Sequence, residues 1–280
     1  MKIIRTPAEM SDFCAALRRE GKRIALVPTM GALHEGHMSL IDIARKNADA
    51  CVVSVFVNPT QFGPNEDYSS YPRQLEADAA ACEARGADAV FAPAPGDIYA
   101  PDASTFVVEE SVSSNLCGKS RPNHFRGVTT VVAILFNIVR PDCAVFGEKD
   151  AQQISVIKRM VRDLFMGVEI IRAPLVRAES GLAVSSRNKY LHGAQLETAA
   201  RLSRALAAGK ELVENGCLNI HRVKAEIVNQ LSKSSRIRVI YVEIVDAETS
   251  LPVNDIVPGK TRAAIAVWLD QTRLIDNMVL

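Results

Sequence analysis

Short apolar runs alternate with amphipathic stretches along the first two thirds of the chain. The apolar runs are of strand length and read IALVPTM, CVVSVFV, AVFAP, CAVFG and VEII. Helical spacing of apolar positions follows three of them, over residues 37–46, 75–85 and 151–165. Strands joined by helices of this length are typical of βαβ units. The pattern therefore predicts an α/β fold with a doubly wound, Rossmann-like parallel sheet.

The pattern changes near residue 176, after which a loop carries Gly181 and the run Ser-Ser-Arg-Asn at 185–188. Helical spacing returns over residues 194–208 and 220–231. The segments IRVIYVEIVDAETS, VNDIVPGKT and RAAIAVWLD then indicate strands joined by short turns. We predict a smaller α+β domain over 176–280, following the doubly wound α/β domain over 1–175.

Charge and composition exclude several classes of protein. The 280 residues carry 33 Lys plus Arg against 32 Asp plus Glu, a net charge of +1, which argues against non-specific binding to nucleic acid or anionic membranes. The first 23 residues contain no apolar core of a signal peptide, so we expect a cytoplasmic protein. The six cysteines form no Cys-x-x-Cys pair, and we expect them to be reduced and structural, with Cys51 and Cys143 buried.

The most informative segment is PTMGALHEGH, at residues 28–37 between a predicted strand and a predicted helix. Ligands of open α/β sheets bind at such junctions, where a helix start offers free N–H groups to an anion. Gly31 and Gly36 permit tight turns, while His34 and His37 can both donate to a phosphate. A pair of surface or capping histidines is the plainer alternative. Neither a P-loop nor a dinucleotide-binding glycine motif follows this strand, which disfavours kinase-like chemistry.

Residues 34–37 resemble the His-x-Gly-His signature of the nucleotidylyltransferase superfamily, and the longer segment is similar to the pantoate–β-alanine ligase family within it. Three further blocks match that family in order: FVNPTQF at 56–62, FGEKDAQQ at 146–153 and GLAVSSRN at 181–188. The shorter matches are YPR at 71–73, HFRGV at 124–128 and RLIDN at 273–277. The sequence departs from the family pattern at Ile134, Ser180 and Val184.

The resemblance implies an ATP-dependent, AMP-forming ligase. ATP would activate the carboxylate of pantoate as pantoyl adenylate, with release of pyrophosphate. The amine of β-alanine would then attack the mixed anhydride to give pantothenate and AMP. Such chemistry needs positive charge and hydrogen-bond donors around the phosphates but no protein nucleophile.

The same resemblance assigns roles to individual residues. His34, His37, Lys149 and Arg187 are the implied catalytic residues. Pantoate or β-alanine would contact Gln61, Gln153 and Asn58. Magnesium would accompany ATP, with Asp78 as its carboxylate ligand. The implied ATP contacts are Met30, Gly31, Ala32, Leu33, His34, Glu35, Gly36, His37, Gly147, Glu148, Lys149, Asp150, Val176, Val184, Ser185, Ser186 and Arg187.

Alternatives remain at several of these positions. Lys149 and Asp150 also fit a helix-capping surface turn, and Asp78 an exposed helix acid. A homodimer is implied by the family, and the apolar run 128–139 fits either its interface or a buried core helix. A nucleotidylyltransferase acting on a phosphate acceptor and a non-catalytic nucleotide-binding module are the competing functions.

Overall fold

The computed structural model describes residues 1–64 and 66–280 and divides into two compact units. The first comprises residues 1–110 and 121–174, and the second comprises 111–120 and 175–280. The change of pattern in the sequence placed a boundary at nearly the same point, between 175 and 176. The short segment 111–120 lies in the second unit, although it belongs to the first two thirds of the chain.

The elements follow one another in chain order. The strands are β1 (Lys2–Ile4), β2 (Ile24–Thr29), β3 (Ala50–Val55), β4 (Ala89–Phe91), β5 (Cys143–Gly147), β6 (Glu169–Ala173), β7 (Ile237–Asp246), β8 (Thr261–Leu269) and β9 (Thr272–Val279). The helices are α1 (Pro7–Arg19), α2 (Glu35–Asn47), α3 (Leu75–Ala84), α4 (Pro95–Ile98), α5 (Leu116–Ser120), α6 (His124–Val139), α7 (Ala151–Asp163), α8 (Ala194–Ala199), α9 (Arg201–Glu214) and α10 (Ile220–Ser232). Short 3-10 turns cover Pro59–Gln61, Val112–Ser114, Glu148–Asp150 and Ser186–Tyr190.

The first unit contains a parallel sheet with strand order β1-β4-β3-β2-β5-β6. From β2 the chain proceeds through β3 and β4 in one direction, and then returns to place β5 on the other side of β2. The predicted doubly wound parallel fold is therefore confirmed. Ligands of such sheets bind at the carboxyl ends of the strands where the order reverses, which here is the junction between β2 and β5.

The central strands are apolar on both faces because helices cover both sides of a parallel sheet. Residues 24–27 of β2 are fully buried, as are Cys51 and Cys143 at the positions predicted for them. Burial raises the pKa of the Cys51 thiol to about 12 and also raises that of Cys143, so both thiols remain protonated and act as small apolar side chains.

Helix α6 contains the apolar run 128–139, whose role the sequence left open. Its residues pack inside the first unit: Val128 is 2% exposed, Leu135 3% and Val139 0%. The helix also contacts the 3-10 turn Pro59–Gln61. The run is thus core packing and gives no support for a subunit interface.

The second unit packs α9 and α10 against the antiparallel sheet β7-β8-β9, which confirms the predicted α+β character. Two details of the prediction were wrong. Residues 253–260 of the segment VNDIVPGKT form a loop, because Pro258 lacks an N–H for a strand ladder and Gly259 adopts a φ of +76°. The third strand is instead β9. The helix predicted over 194–208 is divided into α8 and α9 at Ala200.

Within residues 1–64 and 66–280, no helix has both the length and the apolar character that a membrane crossing demands.

Candidate active site in the first unit

Two loops lie at the junction where the strand order reverses. The loop after β2 holds residues 30–34 and leads into α2, and the 3-10 turn Glu148–Asp150 follows β5. Because β2 and β5 are neighbouring parallel strands, their carboxyl ends lie at the same edge of the sheet. The two sequence blocks predicted to contact phosphate are therefore adjacent.

A buried carboxylate shapes the loop after β2. Gly31 and Ala32 have left-handed φ values of +79° and +51°. Asp78 of α3 accepts the backbone N–H groups of Ala32 at 2.9 Å and Leu33 at 2.8 Å, and it also accepts the side-chain amide of Gln74 at 3.2 Å. A Cβ added at Gly31 would lie 2.9 Å from this carboxylate. The loop conformation thus depends on a glycine and on Asp78 together.

Asp78 is 1% exposed, which excludes the alternative of an exposed helix acid. Both carboxylate oxygens accept hydrogen bonds from the loop, so the geometry makes Asp78 a residue that positions the backbone. Among residues 1–64 and 66–280, no group of three or more His, Cys, Asp and Glu side chains has the arrangement of a metal site. Metal binding by Asp78 stays a prediction that this geometry does not favour.

His34 and His37 lie together at the start of α2, with His34 as its N-cap and ring centroids 3.9 Å apart. Nδ1 of His37 accepts the backbone N–H of His34 at 3.4 Å, so a neutral ring carries its proton on Nε2. Burial, together with repulsion from His34 and Lys149, lowers the pKa of His37 to about 3. His37 is therefore a neutral donor at physiological pH. A Cβ at Gly36 would lie 3.0 Å from the His34 ring, which explains the glycine between the histidines.

Lys149 supplies a positive charge at the same edge of the sheet. Its side chain is 22% exposed and forms a 3.7 Å ion pair with Asp150, while Glu148 lies 3.8 Å from Arg172. The Lys149 ammonium lies close enough to His37 to contribute to the lowered pKa of that ring. Glu35, by contrast, directs its carboxylate away to an exposed ion pair with Arg85 at 2.6 Å, which leaves its backbone as the part available to a ligand.

The side chain of Gln61 links the predicted pantoate residues to this loop. Its Nε2 donates to Sδ of Met30 at 3.2 Å, and its Oε1 accepts from the amide of Asn58 at 3.0 Å. Asn58 is 1% exposed, donates to the Gly127 carbonyl at 3.1 Å, and accepts the hydroxyl of Tyr99 at 2.8 Å. Asn58 therefore holds Gln61 in place; direct contact of Asn58 with a substrate stays a prediction.

The main chain of Gln61 is held by a second set of side chains, to which the sequence assigned no role. His124 Nδ1 lies 2.9 Å from the Gln61 carbonyl oxygen, and Arg121 lies 2.9 Å from His124 Nε2. Arg121 also forms two hydrogen bonds of 2.5 and 2.6 Å with Glu66. Because Nε2 of His124 accepts from Arg121, the ring proton lies on Nδ1 and is donated to Gln61. The block HFRGV was a signal for this set, but only the fold reveals the contacts.

Burial and charge set the protonation of these groups. Burial first, and then the charge of Arg121, lowers the pKa of His124 to about 3. Burial alone would raise the pKa of Glu66, but the hydrogen bonds and charge of Arg121 outweigh it and hold that pKa at about 2. A neutral His124 and an ionised Glu66–Arg121 pair therefore persist across physiological pH. Gln153, the remaining predicted pantoate residue, is half-buried in the first turn of α7.

The predicted site residues of the second unit share one hairpin and the turn after it. The backbone N–H of Val184 donates to the Val176 carbonyl at 3.0 Å, so two residues predicted at separate positions lie opposite each other. Ser185 then caps the turn Ser186–Tyr190 by accepting the N–H of Arg187 at 3.3 Å. These contacts connect Val176, Val184 and Ser185 in one local structure.

Comparison with known proteins agrees with this architecture. The chain matches the family described as pantoate-beta-alanine ligase over residues 2–279. It is 52% identical to a pantothenate synthetase of Pseudothermotoga lettingae over 100% of this chain and 99% of that protein. A pantothenate synthetase of Thermotoga petrophila is 50% identical, with both chains fully covered.

Solved structures give the same result. The pantothenate synthetase of Thermus thermophilus aligns with a TM-score of 0.94 and 44% identity, covering 100% of this chain and 99% of that one. A pantoate-beta-alanine ligase of Francisella tularensis, complexed with beta-gamma ATP and beta-alanine, aligns with a TM-score of 0.82 and 34% identity, covering 100% and 97%. The match extends over the whole chain in sequence and in fold, and the chain belongs to the pantoate-beta-alanine ligase family of enzymes.

Proposed function

We propose that this enzyme condenses pantoate with β-alanine in two steps at the expense of ATP. In the first step a carboxylate oxygen of pantoate attacks the α-phosphorus of ATP, and pyrophosphate leaves with the electron pair of the broken P–O bond. In the second step the amine of β-alanine attacks the acyl carbon of pantoyl adenylate. AMP leaves, the amine loses a proton, and pantothenate is formed.

One observation carries the proposal: His34 and the neutral His37 lie together at the start of α2, and Lys149, on the turn after β5, lies close enough for its charge to act on His37, where the strand order reverses. A carboxylate attacking a phosphate approaches a centre that is already negative, so donors and positive charge must offset the repulsion. The Nε2–H of His37 and the Lys149 ammonium provide these without a proton transfer. Catalysis then rests on positioning and charge stabilisation, because the substrate itself is the nucleophile.

The second unit contributes phosphate and nucleotide contacts in this proposal. Arg187 offers a planar, permanently charged donor for phosphate oxygens, and the hydroxyls of Ser185 and Ser186 offer neutral ones. Val176 and Val184 present backbone groups and apolar surface to the nucleoside. The unit acts as a lid over the nucleotide, as the family resemblance implies.

Pantoate binding is assigned to Gln61 and Gln153, with Asn58 beside Gln61. An amide hydrogen-bonds both hydroxyl and carboxylate groups without adding a charge that would over-stabilise the bound carboxylate. Hydrogen bonds fix both the side chain and the main chain of Gln61. They support this role, since a residue that orients a nucleophile must itself be fixed.

Magnesium enters the proposal with the nucleotide, as the Mg2+ complex of ATP. The described residues do not fit a metal centre built by the protein, because Asp78 is committed to the loop backbone. Magnesium commonly keeps its waters and is held by substrate phosphates, so its use requires no protein cluster.

We also propose that the protein is cytoplasmic and forms a homodimer. Sedimentation of the purified protein tests the dimer, and a monomer at micromolar concentration would contradict it.

Pantoate-dependent exchange of pyrophosphate into ATP, measured without β-alanine, tests the mechanism directly. We expect exchange that requires pantoate, and AMP as the nucleotide product once β-alanine is added. Absence of exchange, or ADP as the product, would refute the two-step mechanism. Exchange that ignores pantoate but needs a phosphate-bearing acceptor would favour the nucleotidylyltransferase alternative. ATP binding without any turnover would favour a non-catalytic module.

The role of Lys149 has a matched test. Lys149→Ala removes the charge beside His37, and we expect pantoate-dependent exchange to fall by about 10²-fold or more, while the folded structure is retained. The control is Lys46→Ala, because Lys46 is exposed in the last turn of α2, at the opposite end of the helix from His37. Full exchange activity in a folded Lys149→Ala protein would exclude the proposed role.

A further inference from the structure

A buried polar cluster lies in the second unit, centred on Asp276 of β9. The Asp276 residue is 2% exposed and accepts two hydrogen bonds from the Arg177 guanidinium, at 2.7 and 2.9 Å. The backbone N–H of Asn277 donates to the same carboxylate at 2.7 Å. Arg262, which is 4% exposed, donates to the side-chain oxygen of Asn277. The cluster includes the last two residues of the RLIDN block, to which the sequence assigned no function.

Arg177 uses its remaining N–H donors to join the hairpin of residues 176–184 to β9. Its guanidinium donates to the Gly181 carbonyl at 3.0 Å, at the turn of the hairpin, and to the Asn277 carbonyl at 3.2 Å. Arg177 also pairs with Ala183 across the hairpin in an antiparallel bridge. One side chain thus connects the first arm and the turn of the hairpin to the sheet.

The turn of the hairpin is closely packed as well. Gly181 has a φ of +86°, and a Cβ there would lie 2.8 Å from Oγ of Ser203 on α9. Leu182 and Ala183 are 6% and 4% exposed. The chain that leaves this anchored hairpin is Val184 followed by the Ser185–Arg187 turn, so the anchor determines where those residues point.

The desolvation cost of the Arg177–Asp276 pair indicates that it contributes more to local geometry than to the free energy of folding. Burying a carboxylate with a guanidinium costs desolvation that their attraction roughly repays, and apolar residues of similar size often stabilise as well or better. Two parallel hydrogen bonds fix the orientation of the guanidinium, and here they also fix the orientation of the hairpin bound to it.

We propose that Arg177 and Asp276 are positioning residues for nucleotide binding, holding the hairpin 176–184 so that Val176, Val184 and the side chains of the Ser185–Arg187 turn are placed to contact ATP. The inference rests on the proposed function, which gives these residues the nucleotide. Loss of either partner frees the hairpin to pivot on its packed turn, and ATP binding weakens although neither Arg177 nor Asp276 contacts ATP.

The test compares ATP affinity in three variants that keep the chain intact. Asp276→Asn removes the charge and one acceptor, and Arg177→Lys keeps a cation but loses the two parallel bonds. Asp270→Asn is the matched control, because Asp270 forms a similar two-bond pair with Arg236 at 3.2 and 2.7 Å on the exposed turn after β8. ATP dissociation constants are measured by calorimetry at a temperature where circular dichroism shows each variant folded.

We expect ATP to bind about tenfold more weakly to Asp276→Asn, and severalfold more weakly to Arg177→Lys, with Asp270→Asn unchanged. The KM for β-alanine should stay within about twofold in all three. Unchanged ATP affinity in a folded Asp276→Asn or Arg177→Lys protein overturns the inference, since a purely structural pair alters the melting temperature and not the affinity. If Asp276→Asn does not fold, Arg177→Lys alone decides, because it keeps a cation beside the buried Asp276 carboxylate.

The two proposals fail in different ways. ATP affinity is measured without pantoate, so the positioning role is decided even where the wild-type protein gives no pantoate-dependent exchange. Failure of exchange in the wild type refutes the ligase mechanism, while equal ATP affinity in wild type and folded variants refutes only the positioning role.

Discussion

Replacing Gly127 by alanine would test how far the proposed pantoate site depends on the contact between α6 and the turn Pro59–Gln61. A Cβ at Gly127 would lie 2.5 Å from the carbonyl oxygen of Thr60 and 2.6 Å from the backbone nitrogen of Gln61, where ordinary contacts begin at 3.4 Å. Both neighbours are backbone atoms and cannot rotate away. The turn carrying Gln61 must therefore move by about 1 Å, a displacement that can cost about 10²-fold in rate at a reacting centre.

The stability cost of this substitution should be too small to unfold the protein. Overpacking costs about 1–3 kcal/mol, while alanine is favoured over glycine inside a helix by about 1 kcal/mol. The net loss of about 1 kcal/mol lowers the melting temperature by about 2–4 °C for a protein of this size. The Gly127→Ala protein should therefore be folded at about 25 °C.

Initial rates at saturating ATP and β-alanine provide the assay. We expect kcat/KM for pantoate to fall about 10- to 100-fold in Gly127→Ala, with ATP affinity within about twofold of wild type. Gly96→Ala on α4 is the control, because a Cβ there meets nothing within 4 Å. A folded Gly127→Ala enzyme with wild-type kcat/KM for pantoate would refute the reasoning. An equal loss of ATP affinity would place the turn in the nucleotide site instead.

Three further outcomes follow from buried groups. Asp78→Ala leaves the loop N–H groups of Ala32 and Leu33 without their acceptor, so urea unfolding should show a loss of about 2–5 kcal/mol; an unchanged midpoint would contradict the loop role. The His124 pKa is about 3 in the folded protein against 6.5 normally, so its stability contribution is complete above pH 6.5 and is lost by about 1.4 kcal/mol per pH unit towards pH 3. The free energy of urea unfolding should therefore fall more steeply from about pH 7 to about pH 4 in wild type than in His124→Gln, and parallel curves would contradict this. Cys143→Ser buries a hydroxyl among apolar side chains and should cost about 1–3 kcal/mol with unchanged turnover per folded molecule; a selective loss of turnover would show a functional thiol.

Much of the fold could be predicted from the sequence, because the patterns that indicate strands and helices are local. A buried parallel strand is a short apolar run, and an amphipathic helix has its own period, so a strand at 24–30 and a helix over 37–46 were predicted from local pattern alone where the structure has β2 and α2. Gly31, Gly36 and the paired histidines stand at a strand-to-helix junction, and that arrangement indicated an anion site before any contact was known. The resemblance to a family then supplied the reaction.

Other features depend on contacts between distant parts of the chain. The sequence offered Asp78 as a metal ligand or an exposed acid, but 45 and 46 residues separate it from the backbone groups that it holds. The sequence proposed Gln61 as a pantoate residue but did not reveal the side chains that hold it, because His124, which contacts the Gln61 carbonyl, is 63 residues away in the chain. Strand β9 was missed, and nothing in the sequence pattern separates residues 111–120 from the chain around them, since each segment is defined by what it packs against.

The sequence by itself therefore determined the α/β class and most elements of the parallel sheet, and it predicted which residues bear the chemistry. The tertiary structure decided which polar residues hold others in place. The physical reason is that hydrophobic periodicity is a pattern of neighbouring residues in the sequence. The partner of a buried polar group is instead a residue that the fold brings to within about 3 Å of it. Asp78, Asn58 and Asp276 look like ordinary polar residues in the sequence, and their partners in space reveal them as fixed supports of the loops around them.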